Sequence, residues 1–155
     1  MATSAAGAAI DALLAILRAA PALADAYIVD GPPAVNLTDR HRIYIGWAPG
    51  AEQAAEIAQD FASAGARTRD EDFSIACYAE SRAGDKEMAL RRTKVFELMA
   101  AVEVALRATN EAPEAPTLNG TVQWAHLTAG SLVQEQGSDG SLAGLAFTVR
   151  CRARI

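Results

Sequence analysis

Residues 85–109, DKEMALRRTKVFELMAAVEVALRAT, decide the fold. Met88, Val95, Leu98, Met99, Val102, Ala105 and Leu106 recur at helical steps and form one apolar stripe. Arg91, Arg92, Lys94, Glu97, Glu103 and Arg107 fall mostly off it. Asp85 follows Gly84 and is placed to cap the first turn with its carboxylate. Asn110 and Pro113 stop the helix. An amphipathic helix of this kind buries its stripe against another layer, and segments with period-two alternation lie on both sides of it.

Working outward, Phe73, Ile75, Cys77 and Ala79 alternate with Ser74, Ala76, Tyr78 and Glu80, which predicts a strong strand within 68–82. Beyond the helix, Glu111 to Leu118 is a Pro-rich connector. A long strand is expected over Thr121–Gln136, bulged or bent at Gly130. Gly137-Ser138-Asp139-Gly140 reads as a hairpin turn. Leu142–Ile155 then puts Leu145, Phe147, Val149, Cys151, Ala153 and Ile155 on one face. Thr148, Arg150, Arg152 and Arg154 lie on the other.

Toward the start, Ile10, Leu13, Leu14 and Leu17 give a narrow stripe on a helix over Ser4–Ala20, ended by Pro21. Ala26–Asp30 is a short strand stopped by Gly31-Pro32-Pro33. His41–Trp47 is the next, with Ile43, Ile45 and Trp47 on one face and Arg42 and Tyr44 on the other. Ala51–Ala62 reads two ways. Its alanines favour helix, yet Ala55, Ile57, Gln59 and Phe61 alternate with Glu56, Ala58 and Asp60 as in a strand or an extended arm. The expectation is a single α+β domain over 1–155. An antiparallel or mixed sheet of about four to five strands carries two helices, with 48–66 as an extended arm or loop.

Composition narrows the function. Half the residues are apolar (51%) and only 21% are charged, so the chain is globular. At 155 residues it can bury roughly 70% of its unfolded surface and needs no metal or disulfide to fold. A net charge of −5 argues against a general nucleic-acid binder. Cys77 and Cys151 each sit in an apolar alternation and read as buried free thiols. No apolar run reaches the length of a membrane span. The apolar start lacks a preceding Lys or Arg and is interrupted by Asp11, unlike a secretory leader. The sequons Asn36-Leu37-Thr38 and Asn119-Gly120-Thr121 matter only in a secreted chain and read as chance.

No catalytic, cofactor or metal site emerges. His41 and His126 have no partner ligand at metal spacing. The chain has no G-x-S-x-G elbow, and its Gly-rich run at 137–144 lacks the P-loop lysine. The acids of Asp70-Glu71-Asp72 alternate along a strand, so only two share a face. Two features point to interaction instead. One is the row Arg150, Arg152, Arg154, a salt-bridged face or a partner-facing stripe. The other is segment 48–66, poor in large apolar residues and costly to order without a neighbour. The candidate interface is Ala51, Glu52, Glu56, Ile57, Phe61, Arg150, Arg152 and Arg154.

Several pieces follow one another in a characteristic order. They are RAAPAL (18–23), VDGPP (29–33), GARTRDEDF (65–73), ACYAESRAGD (76–85), ELMAAVEVALRA (97–108), SLVQEQG (131–137) and LAFTVRCRARI (145–155). In that order and spacing the chain resembles the tail terminator (tail completion) proteins of long-tailed bacteriophages, particularly those of actinobacterial phages and prophages. The resemblance spans most of the chain, and it favours an extended strand or arm at 51–62. It implies an α+β virion subunit without catalytic residues or cofactor. Such subunits assemble in the host cytoplasm into a ring, typically a hexamer. The ring caps the tail tube, stops its polymerisation and meets the head-side connector, while DNA passes through the bore without specific binding. Net acidity suits such a bore, since anionic walls repel phosphate. The ring contacts are expected from 48–66 and the edge strands, with the helix at 85–109 as outward-facing scaffold. Two other readings stand beside this one. The chain is another neck, head–tail connector or tail-tube component, or it is a small cytosolic enzyme or ligand-binding α+β domain. The last needs a deep polar pocket around His126 or Asp70–Asp72.

Overall fold

A computed structural model describes residues 3–34, 39–65 and 67–155. Among the described residues, two α-helices and six strands give an α+β fold. Helix α1 (Ala6–Ala19) precedes strands β1 (Tyr27–Asp30), β2 (His41–Ile45), β3 (Ala55–Phe61) and β4 (Arg69–Ala83). Helix α2 (Met88–Ala105) follows, and then the hairpin β5 (Trp124–Gly137) and β6 (Gly140–Arg154). The sheet order is β1-β2-β4-β6-β5, with β3 paired to β4 off that path. It is a mixed sheet, because β1 runs parallel to β2 while every other pairing is antiparallel. Six strands exceed the four to five expected, since β2 and β3 each occupy only part of one edge of β4.

The strand β4 is the spine. At 15 residues it is long enough to carry two strands end to end on one edge. β2 lies against Cys77–Ser81 and β3 against Arg69–Ile75. Its other edge is filled by β6. The alternation read from the sequence sets its faces: Phe73, Ile75, Cys77 and Ala79 are buried in the main core.

Both helices cover that face. Val95, Leu98, Val102 and Leu106 of the α2 stripe are buried, with Met88, Met99 and Ala105 packed against them. Burying each large side chain is worth about 1.5–3 kcal/mol relative to exposure. α2 packs on β4, β5 and β6, as the pattern requires. Asp85 is not its cap. The helix starts at Met88 after Glu87, and the Asp85 carboxylate accepts the Glu87 N–H at 3.1 Å in the turn before it. Leu13, Leu14 and Leu17 seat α1. Its first turn is tied down by β4, where the fully buried Glu71 accepts the Ala5 N–H at 2.8 Å and a second bond from Gln59 of β3.

On the helix-free face Tyr44 and Tyr78 stack with ring centroids 6.0 Å apart, and Trp47 meets both edge-on. This corrects the placement of Trp47 beside Ile43 and Ile45. Gly46 adopts φ +80°, which breaks the two-residue alternation and swings Trp47 to the Tyr44 side. The cluster rests on bare backbone, because a Cβ at Gly144 would lie 1.8 Å from the Tyr78 hydroxyl oxygen. The bulge expected at Gly130 is present as a register shift between Thr128 and Ser131. A Cβ there would meet the Ala146 carbonyl oxygen at 1.3 Å.

Candidate functional site

The segment whose reading was open, 51–62, is a strand and not a helix over 55–61. Pairing decides the matter: Ala55 to Phe61 match Ile75 down to Arg69 in an unbroken antiparallel register. Its alanines favour helix locally, but a helix here would leave the lower edge of β4 unpaired in water, so tertiary context overrides propensity. β3 pairs on one side only, with β4, and its Gln59 side chain donates to the Thr3 carbonyl at 2.8 Å. Ile57 is 46% exposed and Phe61 71%. Both point to the helix-bearing side of the sheet, since Ile57 lies opposite the buried Phe73. Glu56, Ala58 and Asp60 point to the helix-free side and are exposed. Ala51 and Glu52 precede the strand in an exposed turn, where the Ala51 N–H donates to the Ala48 carbonyl. Ala66 and the sequon at Asn36–Thr38 lie outside the described residues.

The arginine row is divided. The β4–β6 register sets Asp70 opposite Arg154 and Asp72 opposite Arg152, on the helix-free face. Arg154 Nε lies 2.7 Å from Asp70, and Arg152 reaches Asp70 at 3.4 Å and Asp72 at 3.3 Å. A bond donated by Arg154, reinforced by the charges of Arg154 and Arg152, holds the Asp70 carboxyl below the usual carboxylate range despite some desolvation. Arg150 is different. Its neighbours across the sheet are Ser74 and His126, and no ion pair forms with it among the described residues. The predicted site residues therefore fall in two places: the free β3 edge, and the β6 row one strand in from the opposite edge.

The opposite edge is β5, which pairs only with β6. Trp124 and His126 stack there on the helix-free face, with centroids 4.5 Å apart and planes 25° from parallel. Sequence reasoning found no metal-ligand partner for His126 and did not single out its pairing with Trp124. Their two-residue spacing on a strand was the available signal. Leu132 and Val133 of β5 are exposed on opposite faces. In the half of the sheet that holds β3, the unpaired edges are thus β3, bearing Glu56 and Asp60, and β5, flanked by Arg150; in the other half β1 is the outer strand.

The charged face of α2 is engaged locally. Arg91 donates to the Arg82 carbonyl, Arg92 to Gln134 of β5, and Lys94 to Asp25 at 2.7 Å. Cys77 and Cys151 are buried free thiols, and desolvation pushes each up to about 12. Among the described residues, no group of three or more His, Cys, Asp or Glu is placed to hold a metal ion. No helix is long and apolar enough to cross a membrane. A cleft of about 520 Å³ opens at the hairpin end, lined by Arg40, Arg82, Glu135, Asp139 and Ser141 among others. Neither His126 nor Asp70–Asp72 borders it.

No protein-family model matches the chain, and no curated protein matches its sequence. Among solved structures, a chain of the "Virion of native gene transfer agent (GTA) particle" is similar with a TM-score of 0.60 and 15% sequence identity. The match covers 98% of this chain and 100% of that one. At this identity the likeness establishes a shared fold over the whole length of both chains.

Proposed function

We propose that this protein is a structural subunit of a phage-like virion, and within it the tail terminator. The observation that carries the proposal is the end-to-end fold likeness to a chain of a gene transfer agent virion. It agrees with the independent resemblance of the ordered sequence pieces to tail terminators. In this role several copies close into a ring, six in the usual arrangement, on the tip of the tail tube. The ring ends tube growth and offers its far surface to the head-side connector. The unpaired edges of β3 and β5 suit it: a ring needs two different complementary surfaces on each subunit, not one self-complementary patch. No catalytic step or cofactor enters the work, which is binding and geometry. The net charge of −5 suits a bore that lets DNA slide.

The test is an assembly experiment. Particles produced without this chain should carry tubes of uncontrolled length and fail to join heads. Adding the purified chain should restore both. Gold or antibody labelling in electron micrographs should mark the head-proximal end of the tail. Label along the whole tube, or on the head portal, would assign the chain to a tube or connector component instead.

A further inference from the structure

The open edges of β3 and β5 differ in polarity, charge and side-chain size, and the differences match. Across the lower half of the sheet the strands run in the order β3, β4, β6, β5, each antiparallel to the next. β5 therefore runs in the direction of β4 and opposite to β3. If a second copy is placed beyond β5 in the same orientation, its β3 meets β5 antiparallel, with the helix-free faces on the same side. No inversion is needed. This is the condition for a head-to-tail contact that repeats around a ring.

We infer that β5 of one subunit pairs antiparallel with β3 of the next through Trp124–Thr128 and Ala55–Phe61, so that the sheets join edge to edge around the ring. This deepens the ring reading above and rests on it. The level of each residue follows from the registers already formed. Glu56, Ser74, Arg150 and His126 form one row across the sheet, and Ala58, Asp72, Arg152 and Trp124 form the next. Continuing both rows without offset sets Glu56 of the second copy beside His126, one strand from Arg150, which has no carboxylate of its own. It also sets the small Ala58 beside the large Trp124. A carboxylate beside an imidazole, a hydrogen-bonding ladder and a large-against-small contact coincide in one register.

The bulge gives an independent reason. On the upper half of the sheet, β1 lies outside β2, so the edge of the second copy projects one strand further there. A straight β5 would run into that β1. The register shift at Thr128/Ser131 falls opposite Thr148 and Ala146, at the level of Ala76 and Tyr78. That is the level at which β3 gives way to β2 along β4. A bulge bends and twists its strand, steering the upper half of β5 clear.

The test uses the full chain with Glu56→Cys and His126→Cys together. Directly opposed residues of an antiparallel pair have Cβ atoms about 4.5–5.5 Å apart, close enough to a disulfide's needs for oxidation to link them with a small backbone shift. Both positions are exposed, so the variant folds, and the native thiols are buried and inert to the oxidant. Mild oxidation should give a reducible ladder of linked subunits, while either single variant gives at most dimers. If the double variant still forms rings in micrographs but shows no ladder, the pairing is overturned and the ring reading survives. If the wild-type chain stays monomeric at every concentration and never joins tubes, the ring reading falls and takes the pairing with it.

Discussion

β2 and β3 share one edge of β4, a few residues apart, and have opposite fates. β2 reads HRIYI and is buried along four of its five positions. β1 closes its outer edge, α1 packs on one face, and the Tyr44–Trp47–Tyr78 cluster lies on the other. β3 reads AEIAQDF and has no buried position. It makes the same kind of backbone ladder with β4, yet carries almost none of the apolar burial that stabilises the subunit. A strand with full pairing on one side, none on the other, and two large exposed hydrophobics is a liability if it stays naked. The contrast separates a strand that serves folding from one that, on the proposed reading, serves assembly.

The largest effect expected from breaking the comparison is on the β2 side. Ile43 is fully buried, and Ile43→Ala should cost about 2–5 kcal/mol in urea unfolding. Next comes the junction between the regions. Glu71→Ala removes the acceptor of the Ala5 N–H and of Gln59, and should cost about 1–3 kcal/mol. Circular dichroism should show the loss beginning at α1. On the β3 side, Ile57→Asp with Phe61→Asp should leave the unfolding midpoint within about 0.5 kcal/mol of wild type. The same variant should abolish ring formation in sedimentation. A large loss of monomer stability there would erase the distinction. The reversal of Arg91 and Arg92 to Glu should leave rings intact; failure to assemble would make α2 an interface.

The smallest effect is a pH dependence confined to the β2 region. Burial, with the nearby positive charge of Lys94, holds the His41 pKa below its ordinary value of about 6.5, against the opposing pull of Asp25. The unfolded chain then takes up the proton first, so the folded state loses stability as pH falls below about 6.5 toward the folded value. Chemical unfolding of wild type and His41→Gln at neutral and mildly acidic pH should show a shallower slope for the variant.

Much of this was legible in the sequence. The α2 stripe, the β4 alternation, the Gly130 bulge and the two-residue hairpin turn were each encoded in local spacing, and the chain folds as they indicate. What was not legible depends on partners distant along the chain. Nothing local tells Ala55–Phe61 that β4 will offer it an edge, so its alanines argue for the wrong element. Nothing in HRIYIGW announces that Gly46 will take positive φ and carry Trp47 across the sheet. The arginine row could be seen, but its division could not. Whether an arginine meets Asp70, Asp72 or Ser74 is set by the β4–β6 register, which begins on the far side of α2. The ring contacts themselves remain proposals, carried by edges that the sequence read only as a segment in need of a neighbour.

The two tryptophans fall one on each side of this divide. Trp47 sits edge-on to Tyr44 and Tyr78, and Trp124 lies on the edge strand against His126. The protein therefore carries two separate optical reporters. Emission from Trp47 should follow the integrity of the subunit, and under the proposed pairing emission from Trp124 should follow the covering of its edge. In a Trp47→Phe background the remaining signal should change when subunits meet, without any label being added.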